Sequence, residues 1–447
     1  MEKLLKLFFA ASGMALLLFA AAWGVSKWVG ASRAEREALA VMSEPVRFVG
    51  HNAYPAIWLV DHPVPAAQVD AVMAEDVRRF AATPLPDGTV SSSPAFTTSA
   101  AQRYPSDAPI QSVRRLLCYS GEDCLTKVRG DLPRYRELVD GHADWFARTA
   151  SATAGDHLHN PFPVRLDMPL PRFISVYAPA TALALRFAQG EREAAIAGTC
   201  RRIVEWRRMA SRSDLLVGWA IAEANAGIGY GQLLARMLSE VPNGQPLPES
   251  CDMAMETPAP AEVSMCAAMR SEFQFISAGS ASTMDKRLKE GGTTGKPFYD
   301  AGMTRAAHAL PEARFCTAET DAAFAADRPQ PPYRSPARLR LQCVSNAIGC
   351  ILADVAGSDH EGFAARHRDY LAAIRALGAL AWWRNQPDAL QDPVAVLKRL
   401  PVRYRATAHP LSYDAKRAVL TMPMLQEKLD VLTMPLPGSH VEQVAAH

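Results

Sequence analysis

A long run of apolar residues opens the hydrophobic pattern of this chain. Residues 7–25 read LFFAASGMALLLFAAAWGV and carry no charge over nineteen positions. At about 1.5 Å per residue, a helix of this length extends roughly 28 Å, close to the roughly 30 Å hydrocarbon core of a bilayer. Trp23 and Trp28 lie where aromatic side chains anchor the end of a span. Residues 1–31 are therefore predicted to form a transmembrane anchor.

A cleaved signal peptide is the alternative explanation of this run. Val29-Gly30-Ala31 satisfies the small-residue rule for cleavage before Ser32. The hydrophobic region of a signal peptide is, however, usually shorter than residues 7–25. The uncleaved anchor is the favoured prediction.

Helical spacing continues beyond the anchor, over residues 32–109. The first helix is predicted to continue towards Pro45 and to be followed by an extended segment. A further helix is predicted through Val69 and Phe80. A flexible loop rich in Ser, Thr and Pro is predicted over 82–109.

Two long helices are predicted within residues 110–250. Apolar residues recur every three or four positions over 191–211 and 214–240, and Ser213-Asp214 suits the start of the second helix. The pattern indicates a helical hairpin. The second helix carries a stripe of small residues that would let another backbone approach closely: Gly218, Ala222, Ala226 and Gly229.

The segments 251–334 and 335–447 are predicted to differ in their content of regular secondary structure. The first segment is interrupted by Pro and Gly and is expected to be a loop-rich insertion with one helix over 261–277. The second is expected to begin with another helical hairpin, in which Gly357 ends one helix and a capping box at 358–361 starts the next.

The C-terminal part of 335–447 has a different pattern, typical of strands. Residues 410–413 and 418–421 flank four turn-forming residues and predict a small β-hairpin. The sequence VLTMP occurs at 419–423 and again at 431–435, a match read as chance or as a local structural echo, because two copies are too few for a repeat architecture. The predicted fold class is mainly α: an N-terminal transmembrane helix, paired αα-hairpins with loop-rich insertions, and a small C-terminal β-hairpin.

The overall composition is that of a globular protein. Apolar residues make up 49% of the chain and charged residues 21%. These proportions exclude a wholly disordered chain and supply material for a core. The net charge of +2 gives no electrostatic reason to expect a nucleic-acid partner.

Cysteine content bears on the compartment. All eight cysteines follow the anchor, and an even number suits an oxidising environment. Cys118 and Cys124 are predicted to form a disulfide, because Gly121 lets the chain turn back between them. Cys343 and Cys350 are seven positions apart in a helical pattern, so they are expected to lie about 10 Å apart on one face, too far to bond to each other.

The lysines and arginines on either side of residues 7–25 do not decide the orientation by the positive-inside rule. The cysteines favour export, so the prediction is a single-pass inner-membrane protein with the bulk of the chain on the periplasmic side. The bilayer, through residues 7–25, and an envelope protein are the predicted partners.

No established catalytic motif is found. A P-loop fails because Glu290 stands in place of its first Gly and Pro297 in place of its hydroxyl residue. A zincin motif fails because Ala364 stands where the second His should follow His360. The cysteine spacings do not suit structural zinc. No cofactor and no catalytic residue are predicted, and an enzyme is disfavoured.

A polar loop at 155–160, GDHLHN, provides the best candidate cluster. In an extended segment His157 and His159 would point to one side and could converge on a metal ion or a substrate proton. An ordinary polar loop is the simpler interpretation, because two ligands do not complete a metal site. His142 and His367 lie on apolar faces and are expected to be hydrogen-bonded core residues.

Arginines crowd the helix predicted over 191–211. Arg201, Arg202 and Arg208 are weak candidates for binding an anion such as a lipid headgroup. A solvated face is the simpler interpretation, and it extends to Arg207 and Arg212.

The leading functional hypothesis is a membrane-anchored, mostly helical envelope protein that acts as a binding or scaffolding module. One alternative is a metal-assisted hydrolase that uses His157 and His159 together with His360 or His409. Another is an inhibitor of a partner protein in the same compartment, contacting it through the loops at 82–109 and 279–334.

Overall fold

The structure is a computed structural model that describes residues 2–84, 96–290, 293–330, 340–356, 360–426 and 429–440. Helices dominate it, as predicted, and a small antiparallel sheet lies near the C-terminus. The first nine helices are α1 Glu2–Val29, α2 Arg33–Met42, α3 Tyr54–Trp58, α4 Val69–Ala82, α5 Ala100–Arg103, α6 Ile110–Val113, α7 Cys124–Arg129, α8 Leu132–Gly141 and α9 Ala143–Ser151.

The central part of the chain contains nine further helices among its described residues. They are α10 Ala178–Ala188, α11 Arg192–Ser211, α12 Leu216–Glu223, α13 Tyr230–Ser239, α14 Ser250–Ala254, α15 Pro260–Val263, α16 Cys266–Glu290, α17 Ala301–Ala313 and α18 Ala318–Ala325. The segment 251–334 is thus more helical than its Pro and Gly content indicates.

The C-terminal part combines helices and strands. Two helices, Ala347–Ala356 (α20) and His360–Trp383 (α21), follow one another as expected, but α20 packs on α17 whereas α21 packs on α12 and α13. The predicted helix end at Gly357 and the Ser and Asp of the capping box lie outside the described residues. The elements are α19 Gln342–Ser345, α20 Ala347–Ala356, α21 His360–Trp383, α22 Pro393–Lys398, β1 Ser412–Asp414, β2 Val419–Pro423 and β3 Val431–Pro435.

Helix α1 is long and apolar enough to cross a membrane, and its apolar side chains are exposed. The expectation that this helix continues towards Pro45 is wrong. Gly30 has a φ of +62°, which ends α1, and Ser32 starts α2 with a capping box. In that box Ser32 Oγ accepts from the Glu35 N–H at 3.3 Å, and the Glu35 carboxylate accepts from the Ser32 N–H at 2.7 Å.

The predicted central hairpin is confirmed. Helix α11 turns at residues 212–215 into α12, and a π-helical segment at Ala224–Gly229 joins α12 to α13. The predicted small residues serve close packing: Ala222 and Ala226 are fully buried, and a Cβ on Gly218 would meet the side chain of Leu158.

The disulfides correct one prediction and confirm another. Cys118 bonds to Cys124, with 5.3 Å between the Cα atoms, as predicted. Cys343 bonds to Cys350, with 5.8 Å between the Cα atoms, so the expectation that they are too far apart is wrong. The predicted continuous helix breaks at Asn346, and the resulting corner brings the two thiols together. The other two bonds are Cys200–Cys251 and Cys266–Cys316.

The predicted β-hairpin is present as β1 and β2, and β3 adds a third strand in the order β1-β2-β3. The two copies of VLTMP are the paired strands β2 and β3, with Thr421 opposite Thr433. Leu420, Met422, Leu432 and Met434 are buried on the core side. The repeated sequence is therefore a local structural echo, because both strands need the same alternation of buried and exposed residues.

Candidate functional site

The polar loop at 155–160 lies between two other segments of the chain. The Ala53 N–H donates to the His157 carbonyl at 2.9 Å, and the Leu158 N–H donates to the Arg212 carbonyl at 3.0 Å. Glycine is required at position 155, where the loop passes Ala53, because a Cβ on Gly155 would lie 2.8 Å from the Ala53 backbone nitrogen. The loop is thus fixed by its neighbours on both sides.

His157 is buried in this loop. Its ring packs against Phe48, with 5.4 Å between the ring centroids, and its Nδ1 has no hydrogen-bond partner. Burial lowers the pKa of His157, and the nearby positive charges of Arg212 and His159 lower it further. The neutral imidazole is therefore the favoured form.

His159 has different surroundings. Its ring pairs through Nδ1 with the Asp214 carboxylate, which also accepts from the Asn160 N–H at 3.2 Å. The Asn52 side chain fixes the backbone of His159 through hydrogen bonds of 2.7 and 3.0 Å. The hydrogen bond to Asp214 raises the pKa of His159. The hydrogen-bonded pair leaves about half of the His159 side chain exposed.

The two histidines therefore have separate partners. No group of three or more His, Cys, Asp or Glu side chains that could hold a metal ion occurs among the described residues. His409, the predicted third group, has both ring nitrogens bonded to Asp327 and Asp369, while His360 is buried at the start of α21. The metal-site hypothesis stays a prediction.

The His159–Asp214 pair lies at the edge of an apolar cleft. The cleft consists of two adjoining cavities of about 300 and 200 Å³, and both are lined by Asp214, Leu215 and Ser271. His159 and Asn160 line the smaller cavity and Glu272 lines the larger one. The apolar lining of the larger cavity comes from Leu166, Met168, Leu170, Leu215, Leu216, Val217, Phe275 and Phe363.

Glu272, which lines the larger cavity, interacts with a second acidic side chain, Glu312, on a neighbouring helix. Burial raises the pKa of Glu272 in α16. Burial and the charge of Glu272 hold the pKa of Glu312 in α17 well above its usual range. One Glu312 oxygen is buried without a hydrogen-bond partner. Glu312 therefore favours its neutral form, which leaves Glu272 as the carboxyl group that meets the cavity.

The arginines proposed as anion ligands are spread over several environments. Arg201 is exposed. Arg202 pairs with Glu205 at 2.7 Å, and Arg208 lies 3.6 Å from Asp156. Arg207 corrects the solvated-face interpretation, because it is buried and forms an ion pair with Glu262 at 2.7 Å. Anion binding by Arg201, Arg202 and Arg208 stays a prediction.

Sequence reasoning missed the cleft itself. The sequence pattern predicts Asp214 only as part of a helix start, and it predicts Ser271 and Glu272 only as part of the helix over 261–277 in the loop-rich insertion. These residues come together because α12 packs on α16 and because the loop at 155–160 bonds to residues 212–214. The one local signal was the polar loop, which supplies His159 and Asn160.

His367 is confirmed as a buried, hydrogen-bonded residue that pairs with Glu223 at 2.6 Å.

Comparisons with protein-family models, with curated proteins and with solved structures each find no match to this chain.

Proposed function

We propose that this chain is a single-pass inner-membrane protein whose periplasmic body binds a small apolar amine in the cleft beside His159, Asp214 and Glu272. The anchor is α1, which is long, apolar and exposed to its surroundings. Four disulfides support an oxidising compartment for the body. The proposed role of the cleft is ligand binding, and no reaction is assigned to it.

Contacts at the end of α1 support its retention in the mature protein. The Trp23 indole N–H donates to the Pro297 carbonyl at 2.9 Å, and the hydroxyls of Ser26 and Ser345 lie 2.7 Å apart. Ser26 and Ser345 are both fully buried. Removal of α1 by cleavage before Ser32 would expose Ser345 and leave it without this partner.

The cleft is the observation that carries the binding proposal. Ligand sites are typically concave and mostly apolar, with a few polar groups and with shifted pKa values. Among the described residues that line the larger cavity, Asp214 already pairs with His159, which leaves Glu272 as the acid without an ion pair. A cationic ligand would favour the ionised carboxylate that burial disfavours, and an apolar body would cover the side chains of Leu216 and Phe275.

Binding of dansylcadaverine tests the proposal. The full chain in nanodiscs of uncharged lipid is titrated with this amine and with a dansyl carboxylic acid of equal length, and empty nanodiscs provide the blank. The amine should bind more tightly than the acid. Glu272→Gln should weaken amine binding by about 10- to 100-fold, because a hydrogen bond to a charged group contributes about 1.5–3 kcal/mol.

Two further variants make the result specific to the cleft. Val217 lines the larger cavity and is partly exposed, so Val217→Trp should fill the entrance and reduce binding of the amine. Glu193 is an exposed acid in α11, and Glu193→Gln should bind the amine as the unaltered chain does. Equal binding by the unaltered chain and Val217→Trp would overturn the proposal.

A further inference from the structure

The last part of α1 contacts the body, and these contacts begin before the apolar run at 7–25 has ended. Phe19 packs on Phe298, with 6.3 Å between the ring centroids. Trp23 bonds to Pro297 as described above, and Lys27 pairs with Asp300 at 3.0 Å. The turn at Thr293–Phe298 therefore lies beside the last part of the predicted span at 7–25.

The geometry points to a second membrane contact, made by the Thr293–Phe298 turn and the exposed face of α20. This inference depends on the proposal that α1 spans a bilayer. Six residues separate Phe19 from Val25. At about 1.5 Å per residue, Phe298 lies roughly 9 Å inside the end of the apolar run. Elements that lie in the membrane interface are buried to about this depth, roughly 5–10 Å.

Helix α20 continues this surface. It contacts both the Thr293–Phe298 turn and α19, and α19 packs on α1. One side of α20 faces α17, where a Cβ on Gly349 would collide with Thr304. The other side leaves Ile351 64% exposed and Val355 68% exposed, four residues apart on one face.

The headgroup region of the bilayer is the occupant that this surface fits. A contiguous exposed apolar face is typical of an interaction surface, and Leu341 adds a further exposed side chain just before α19. Lys296 is exposed in the turn and adds a positive charge that suits lipid phosphates, whereas the charge of Lys27 is paired with Asp300. The disulfide between Cys343 and Cys350 fixes α19 against α20.

Depth-dependent quenching tests this contact. A fluorescent amino acid replaces Ile351 in the full chain, which is reconstituted into vesicles that contain lipids with a nitroxide either near the headgroup or near the chain end. The control places the same amino acid at Val402, which is 80% exposed in a segment that packs on α21. We expect a blue-shifted emission at position 351 and a larger loss of emission with the headgroup-proximal nitroxide. We expect neither at position 402.

The result separates this inference from the anchoring proposal. A chain that remains on the vesicles in alkaline carbonate but shows equal quenching at positions 351 and 402 would overturn the second contact and leave the anchor standing. A chain released by carbonate would overturn both. Quenching at 351 that disappears at high protein-to-lipid ratio would assign the face to a second copy of this chain and would likewise overturn the inference.

Discussion

At the residue scale, His409 holds the C-terminal segment to α21. Its buried imidazole bonds to Asp327 through Nδ1 and to Asp369 through Nε2, each at 2.8 Å. Asp369 also accepts from the Leu425 N–H at 2.8 Å. Burial alone would lower the pKa of His409, but the hydrogen bonds and charges of the two carboxylates outweigh it and the pKa is raised.

This arrangement predicts how stability depends on pH. Because the pKa of His409 is higher in the folded chain, its contribution is complete below the unfolded value of about 6.5 and is lost as pH rises through the folded value. His409→Gln should lower the free energy of unfolding by about 1.5–3 kcal/mol near pH 6, since it removes the charged hydrogen-bond partner that Asp327 and Asp369 share, whereas Arg368 still lies 3.4 Å from Asp327. Urea unfolding across a pH series measures this. A variant with the pH slope of the unaltered chain would contradict the assignment.

Glycine 155 gives a second prediction at this scale. Gly155→Ala should destabilise the chain by about 1–3 kcal/mol, because the added methyl group meets the fixed backbone of Ala53. Gly141 is the matched control, since it ends α8 in open space and Gly141→Ala should be neutral or stabilising by up to about 1 kcal/mol. Chemical denaturation compares the two variants. Equal effects would contradict the close approach.

Individual residue roles were only partly predictable from the sequence. The apolar spacing around His367 was enough to place it in the core, because helical periodicity is a local property. The partner of His159 was not predictable, since Asp214 is 55 residues away in sequence and meets it only after the hairpin forms. For the same reason the Glu272–Glu312 interaction carries no local signal.

At the element scale, the disulfides close loops of very different length. Cys200–Cys251 spans 51 residues and ties α11 to α14, whereas Cys343–Cys350 spans 7 residues. Loop-closure entropy predicts that replacing both cysteines by Ser costs about 4 kcal/mol for the first bond and about 2 kcal/mol for the second. Urea unfolding of the two double variants measures the difference. The opposite order would contradict the entropic account.

Element boundaries followed the sequence where the apolar spacing was continuous. Helices α4 and α11 match their predictions closely, and β1 and β2 occur where the turn between them was expected. The break at Asn346 was not predicted, because apolar spacing continues across it from Val344 to Ile348. A helix corner that is held by tertiary contacts and by a disulfide leaves the periodicity unchanged.

At the scale of the whole molecule, one buried cluster includes residues from α2 through β3. The mainly helical class followed from periodicity, but the arrangement that opens the cleft did not, because it depends on which helix faces pack. The predicted boundaries at 32–109, 110–250, 251–334 and 335–447 stay predictions, and all four segments contribute to that cluster.

Topology gives the prediction that belongs to this scale. A phosphatase reporter that folds only after export, fused to the C-terminus, should be active in intact cells. A membrane-impermeant maleimide should label the eight cysteines only after reduction under denaturing conditions, because all eight are disulfide-bonded. Reporter activity confined to the cytosol, or labelling without reduction, would contradict export of the body.

Trp23, Ser26 and Lys27 bond to the body ahead of Gly30, the residue at which α1 ends and at which a flexible connection would have allowed rotation. The body is therefore held in a fixed orientation relative to α1. On the proposal that α1 spans a bilayer, α1 would set the height and tilt of the body, and the opening beside His159 would stay at a constant distance from the membrane. The proposed ligand would then meet the cleft only at that distance.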